Sequence, residues 1–578
     1  MSYLLGALQR GECQRYALDH NKTCFGASFD GEAAFPSVDR QIQIREQYEL
    51  GERGDILEYT KNTYTNTECQ FKLDGKLGRT FREERGNRQG HVKAAGHFKG
   101  YINPCLIAMD MSELGFKFGS NICVGGSCVA DDTYVTSDSE EGLQGLINIV
   151  GHWGRRYRMI FGPSKMRITV TGPTCDMDFF HETLPWVLDG NRIPVTAEND
   201  HLGLIVSGID EVDKNIDVNL SKGRKSLFAL LGPAFSYKCL LSPALQCHLW
   251  RTYTSSVILS GLCALPARHT HSQPLTTFHR KILCGFLKLS QNSPIPALHF
   301  LRAELPLEAS LHLATFSLFW SVWSNPTSTM YQICKYLLMM SPDNSRTWCV
   351  HVRHLCRIYG MKDPLVLLQE DAWSKATWKT YTSTMVTSYH ERILREDALV
   401  NSRMGLFNIA LIGLAGKPYY VLENIFSSYE VKKVRIHIKM LCQDYLTYGT
   451  LALQSAARGV TFSGHCRICP GEWDDIRHIL TECHVTQPAR DILFPQFANL
   501  LAVASPNLDW VSLREDKGLL CQLIIDPCSM SLPNQWRLPL DNLHLPSILN
   551  MSREICFRSH SERTAALKLA KIKKVSTN

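Results

Sequence analysis

The pattern of apolar and polar positions changes character along the chain. Up to about residue 205, short β-prone runs alternate with amphipathic stretches. CFGASFD (Cys24 to Asp30) predicts a strand, and Glu32 to Glu49 predicts a helix with Pro36 in its first turn, where proline is tolerated. Asn121 to Ala130 and Thr133 to Ser137 predict two strands flanking a pair of aspartates. Ser137 and Glu140 have the spacing of a capping box, and Leu143, Leu146, Ile147 and Val150 follow on one helical face. This mixture predicts an α+β layer with a largely antiparallel sheet.

From about 206 to 455 the period is helical. Leu, Ala, Trp and His recur at helical spacing, broken by Pro- and Ser-rich turns such as LSPALQ, NSPIP and SPDNS. Trp320, Trp323, Trp373 and Trp378 are expected in the core. The most apolar window, Leu311 to Trp323, is shorter than the roughly 18 residues of a spanning helix, so a buried helix and no membrane partner are expected. Residues 456–495 hold a compact Cys/His cluster, and 496–578 form a tail that ends rich in lysine. The expected division is therefore 1–205, 206–300, 301–455, 456–495 and 496–578.

Composition changes this picture little. Hydrophobic residues make up 44% and charged residues 20%, so there is ample core. A net charge of +7 permits a polyanionic partner without demanding one. The 21 cysteines lack the regular spacing of a secreted disulfide scaffold and read as reduced thiols of an intracellular protein. Arg10 and Glu12 interrupt the apolar start, so no secretory leader is expected.

The candidate chemistry sits in VADDTYV (Val129 to Val135). Asp favours turns, and a tight hairpin is the plain reading. The sharper reading adds Asp30, at the end of its own strand, to Asp131 and Asp132. Adjacent strands lie about 5 Å apart, close enough for the three carboxylates to cluster. Alone, each would raise its neighbours' pKa. Two Mg²⁺ ions roughly 3.5–4 Å apart would relieve that repulsion and create a phosphoryl-transfer centre. Mg²⁺ needs few protein carboxylates and accepts phosphate oxygens.

Five segments occur in a fixed order: Ala27 to Asp39, Arg85 to Pro104, Val129 to Val135, Phe161 to Gly172 and His201 to Gly208. Together they resemble the palm motifs of the reverse transcriptases of LINE-type (non-LTR) retrotransposons. The resemblance implies a palm, then an all-α thumb over 206–300 and a helical connector over 301–455. It implies an RNA-directed DNA polymerase acting on an RNA template, a DNA primer or target and deoxynucleoside triphosphates, in the nucleus. Asp30, Asp131 and Asp132 would hold Mg²⁺, and Lys165 of GPSK would protonate the departing pyrophosphate. Phe35, five residues after Asp30, resembles the aromatic gate beneath the sugar, the plainer alternative being a core phenylalanine on a helix. Gln89 and Gly90 resemble the motif that touches the incoming nucleotide, and Arg88 before them reads either as a phosphate or template contact or as a solvated charge. The following HVKAAGH departs from the family's pattern and leaves the start of the next helix open. HLGL resembles the primer-grip region. Only 29 residues precede Asp30; the fingers subdomain and its triphosphate clamp, and the endonuclease further upstream, are therefore expected to be mostly absent. The alternative is a catalytically inactive remnant that only binds RNA or DNA through its thumb and knuckle.

Cys466, Cys469, His478 and Cys483 are spaced C-x2-C-x8-H-x4-C. Two thiolates at that spacing grip one side of a tetrahedral Zn²⁺, and the later His and Cys close it, leaving a structural site with no open position. The set resembles the Cys-Cys-His-Cys knuckle near the end of LINE-type proteins, and its expected use is to hold a nucleic-acid-binding module. His465 and His484 flank the ligands and are set aside. KGRK (Lys222 to Lys225) opens the thumb-like region as either a backbone contact or a solvated face.

Overall fold

Helix α1 (Tyr3–Asp19) is buried on nearly every side from Gly6 to Ala17, polar residues included. Its charges are paired: Arg10 with Glu211 at 3.0 Å, Arg15 with Glu12 at 2.8 Å and with Glu211 at 3.4 Å. Glu12 also accepts the backbone N–H groups of Trp348 and Cys349 at 2.8 and 3.3 Å. These open the helix Trp348–Ile358, whose own N-cap residue supplies no side-chain cap. A carboxylate there satisfies orphan donors and meets the positive end of the helix dipole. Asp19 accepts from Ser345 Oγ and the Arg346 N–H in the turn just before.

In this computed structural model the chain forms two compact units. One comprises Met1–Val218, Leu259–His271 and Leu311–Thr382; the other comprises Asn219–Ile258, Ser272–Ser310 and Ser383–Asn578. The structure describes all residues except 1–2, 32–33, 89, 163–164, 173–185, 209, 232–240, 412, 415–417, 424, 426, 470, 507, 530–531, 535 and 576–578.

After α1, the first unit runs β1 (Cys24–Asp30), α2 (Ala34–Ser37), α3 (Arg40–Glu49), α4 (Gly54–Tyr64), β2 (Glu68–Leu73), β3 (Lys76–Arg82) and α5 (Ala94–Met111). Next come β4 (Phe116–Phe118), β5 (Ile122–Val124), β6 (Gly126–Val129), β7 (Asp132–Ser137), α6 (Glu140–Tyr157) and β8 (Arg167–Thr171). The main sheet has the order β6-β7-β1-β8 and every pair in it is antiparallel. Phe25, Ala27 and Phe29 of β1 and Val135 of β7 join a core with Phe98, Tyr101 and Ile102 of α5 and Leu143, Leu146, Ile147 and Val150 of α6. Side chains alternate across a strand, so Gly26, Ser28 and Asp30 belong to the opposite face. The expected α+β layer is present.

Three local expectations change. The stretch from Glu32 to Glu49 does not make one helix: α2 stops at Ser37, and Asp39 caps a separate α3 by accepting from the Gln41 and Ile42 N–H groups. Helix α6 is capped by Ser139, which accepts from the Gly142 N–H, whereas Ser137 stays in β7 and donates to the Leu114 carbonyl. The run from Asn121 to Ala130 is two strands, β5 pairing with β4 and β6 with β7. A side chain at Gly125 would stand 3.1 Å from the Met109 carbonyl, and at Gly126 2.6 Å from the Tyr134 carbonyl, so the bend between the two strands needs glycine.

Trp323 and Trp378 are buried, as expected. With the half-buried Trp373 they form a ring cluster with centroids 5.5 to 6.1 Å apart. The second unit is helical around a core that includes Leu283, Leu301, Val434, Phe497, Ile524 and Ile548. Within it Asp526 is fully buried and accepts from the hydroxyls of Tyr419 and Tyr420 and from the Asn408 and Cys528 N–H groups. Burial pushes its carboxyl up to about 7, with these hydrogen bonds pulling the other way.

Candidate active site and metal centre

The register of the central strands decides where the carboxylates go. Across β1 and β7 the paired residues run from Phe25 with Ser137 to Asp30 with Asp132. Facing residues of an antiparallel pair have Cα atoms about 4.5–5.5 Å apart, so Asp30 and Asp132 are direct neighbours. Asp132 is the first residue of β7 and pairs on its other side with Val129 of β6, leaving Ala130 and Asp131 as a two-residue turn. Ala130 sits at φ 56°, which an L side chain seldom adopts. A Cβ built on Gly31 would lie 3.9 Å from Asp131 Cβ, so the turn packs against the exit of β1.

Electrostatics follow from this crowding. The Asp132 carboxyl is held above the usual range, first by burial, then by Asp131 and Asp30. A bridge between Gly31 and Phe161 brings the loop after α6 alongside β1. Lys165 Nζ then reaches Asp30 Oδ2 at 3.0 Å. Both partners are about half exposed. Among the described residues, the groups of three or more ligand-type side chains whose ligand atoms all lie within 4.8 Å of one another are Cys466–Cys469–His478–Cys483 and Glu472–His478–Glu482. The three aspartates stand wider than that. Their donor set, three hard carboxylates at adjoining strand ends, still suits a hard divalent cation.

Phe35 lies on α2, partly buried, with its ring stacked on Phe98 at 4.7 Å between centroids. The turn before Gly90 is tied to the same place. Gly86 and Asn87 donate backbone N–H bonds to the carbonyls of Val38 and Phe35, each at 2.8 Å. Gly86 is at φ 91°, and a Cβ there would meet the Pro36 carbonyl at 2.8 Å. Arg40 clamps the approach, bonding the Gly86 carbonyl at 3.0 Å, Thr67 Oγ1 at 2.6 Å and Glu83 at 2.8 Å. Arg88 and Gly90 are exposed, Gly90 at φ 83° facing open space. Gln89 lies outside the described residues. Helix α5 begins at Ala94.

HLGL forms a tight hairpin of β11 (Asn199–His201) and β12 (Leu204–Val206), preceded in the chain by the short pair β9 (Val187–Leu188) and β10 (Asn191–Arg192). Leu202 and Gly203 both have positive φ, the signature of a type I′ turn. His201 is buried against Tyr134, and burial followed by the Arg10 charge pushes it down to about 3. Two residues not anticipated from sequence join here: Asn199 Nδ2 donates to Ser28 Oγ at 2.7 Å, and Ser28 Oγ donates to the Arg167 carbonyl at 3.3 Å. The readable signal is period two, since Ser28 precedes Asp30 on the same strand face.

In the second unit Cys466, Cys469, His478 and Cys483 are all buried, with ligand atoms within 4.8 Å of one another. Asp475 caps the helix Ile476–Thr481 that carries His478. Both ring nitrogens of His478 are buried and lack a hydrogen-bond partner among the described residues, which is costly for an imidazole. The Cys469 and Cys483 sulfurs are 3.8 Å apart, and the His484 N–H points at Cys469 Sγ at 3.4 Å. Burial, with the other two sulfurs adding to it, pushes the Cys483 thiol up to about 12. Three sulfurs and an orphaned imidazole are the donor set that a zinc ion satisfies. His465 pairs instead with Trp473 across an isolated bridge.

Against known proteins, no curated protein matches the chain. Residues 3–206, the stretch that carries all three aspartates and Lys165, match the model of the family described as Reverse transcriptase (RNA-dependent DNA polymerase), and this segment is a reverse-transcriptase domain.

Proposed function

We propose that the protein is the RNA-directed DNA polymerase of a LINE-type retrotransposon, copying the element's RNA from a primer in nuclear target DNA. The observation that carries this reading is the pairing of Asp30 with Asp132 across adjacent strands, with Asp131 beside them and Lys165 on Asp30. Asp30, Asp131 and Asp132 would hold two Mg²⁺ ions, which when bound would acidify the primer 3′-hydroxyl and offset the charge of the leaving pyrophosphate. The hydroxyl attacks the α-phosphate of a deoxynucleotide, and the bond to pyrophosphate breaks. Lys165, within reach of the same centre, donates a proton to the pyrophosphate oxygen as it departs. Phe35, braced by Phe98, sets a floor that a 2′-hydroxyl would strike. Arg88, Gln89 and Gly90 line the nucleotide, with Gly90 leaving room for the backbone to approach it. Cys466, Cys469, His478 and Cys483 would hold Zn²⁺ and stiffen a module that grips nucleic acid.

The test is Mg²⁺-dependent primer extension on an RNA template, with Asp132→Ala as control. Extension by the wild type that the variant loses supports the reading. Zinc-dependent nucleic-acid binding without extension would select a non-catalytic remnant.

A further inference from the structure

The β2–β3 ribbon fills no core. Its turn is Asp74-Gly75 with φ of 49° and 79°, the type I′ geometry that matches the twist of a two-residue hairpin. Every residue of β3 and all of β2 except Cys69 are exposed. Isolated two-stranded ribbons are marginal in water, and apolar side chains on them are normally covered. Here Phe71 is 75% exposed and Phe81 42%, yet their rings stack on each other at 5.2 Å and 28°. The register shifts between Gln70 and Lys72, where Gly78 and Arg79 of β3 stand opposite the single residue Phe71, a bulge in β3 of the kind that re-aims the side chains around it. Around the ring pair the ribbon carries Lys72, Lys76, Arg79 and Arg82 against Glu68 and Asp74. It runs directly into the turn that ends at Gly90.

We infer that this ribbon is a docking surface for single-stranded nucleic acid, with bases stacking on the Phe71–Phe81 pair and phosphates meeting the four cations. Aromatic rings beside scattered cations suit an unpaired strand, because every base offers a π-face whatever its sequence, whereas duplex bases are already stacked. The excess of cations argues for a polyanion rather than a second copy of the same basic ribbon. Given the proposed polymerase, the strand is the template on its way to the site, and to that extent the inference rests on that reading.

The test is fluorescence anisotropy of a labelled single-stranded RNA oligonucleotide with the full chain, across a salt series. Phe71→Ser with Phe81→Ser should weaken binding about tenfold at fixed salt, since stacking is worth about 1–3 kcal/mol per base. Changing Lys72, Lys76, Arg79 and Arg82 to Gln should flatten the plot of log affinity against log salt, by about 0.7 for each phosphate that is no longer neutralised. Both sets lie on the exposed ribbon, and an unchanged melting curve confirms that the fold persists. Unchanged affinity and slope in both variants, or a ribbon that instead self-associates in sedimentation, would overturn the inference. Asp132→Ala should bind RNA as the wild type does. Failure of extension with the ribbon effects intact therefore counts against the polymerase, and loss of the ribbon effects with extension intact counts against the docking surface alone.

Discussion

The aspartate cluster and the Cys/His cluster are both candidate cation sites, and they are built in opposite ways. The second is a closed cage: four buried ligands already lie within 4.8 Å of one another, and neither ring nitrogen of His478 is hydrogen-bonded among the described residues. The first is an open rim: Asp30 and Asp132 end adjacent strands, are partly exposed, and Asp30 is held by a lysine. Soft ligands that cannot stay unpaired in an interior depend on their ion for folding. Hard ligands at a solvent-facing strand end can wait for theirs, with Lys165 offsetting part of the charge.

The largest expected effect is on the cage. Stripping zinc with a chelator, or Cys469→Ser, should unfold the segment around 466–483, since structural zinc contributes about 10–16 kcal/mol of binding free energy; limited proteolysis with and without chelator reads this. The same chelation should leave the segment around β1 and β7 protected in hydrogen exchange. On the rim, Asp132→Ala should lower primer extension by about a thousandfold or more, as expected where several kcal/mol of charge stabilisation is lost, with little change in melting temperature. Lys165→Met should slow extension about a hundredfold, the low end for a lost general acid. Its half-exposed pair with Asp30 should contribute less than about 1 kcal/mol to stability, so a large drop in melting temperature would mean that the lysine is structural.

Smaller, and confined to the second unit, is a pH effect from Asp526. Its folded pKa of about 7 lies above the ordinary carboxyl value of 3.8. Between those values the folded form keeps a proton that the unfolded form has lost, so stability falls as pH rises from about 4 to about 7 and levels off above. The loss should be on the order of 2–4 kcal/mol. Urea midpoints of the second unit at acid and alkaline pH should differ accordingly, and Asp526→Asn should remove the dependence.

Much of this is legible in the chain. Strand β1 is readable to its last residue because a run of β-prone residues ends in an acid, and the Cys/His spacing locates the cage. Local punctuation is harder to read. Ser137 and Ser139 compete for one cap, and only the packing of Ser137 against Leu114 settles which residue stays in the strand. Helix α3 starts at Asp39 because that carboxylate satisfies two N–H groups, an advantage that periodicity alone does not weigh. The β2–β3 ribbon does not stand out in the sequence although Asp74-Gly75 marks its turn, since its exposed phenylalanines do not follow the one-sided pattern of a strand on a core. Least readable are pairings of long sequence separation, such as Asn199 with Ser28.

The capping of Trp348 and Cys349 by Glu12 bears on how the molecule can be dissected. Residues 3–206 contain Arg10, Glu12 and Arg15 but neither Glu211 nor the helix that Glu12 caps. A fragment cut at the edge of the matched segment would leave Arg10 without its ion partner and the Arg15–Glu12 pair without its outer contacts, and it should precipitate when expressed alone. Co-expressing the remainder of the chain should return it to solution.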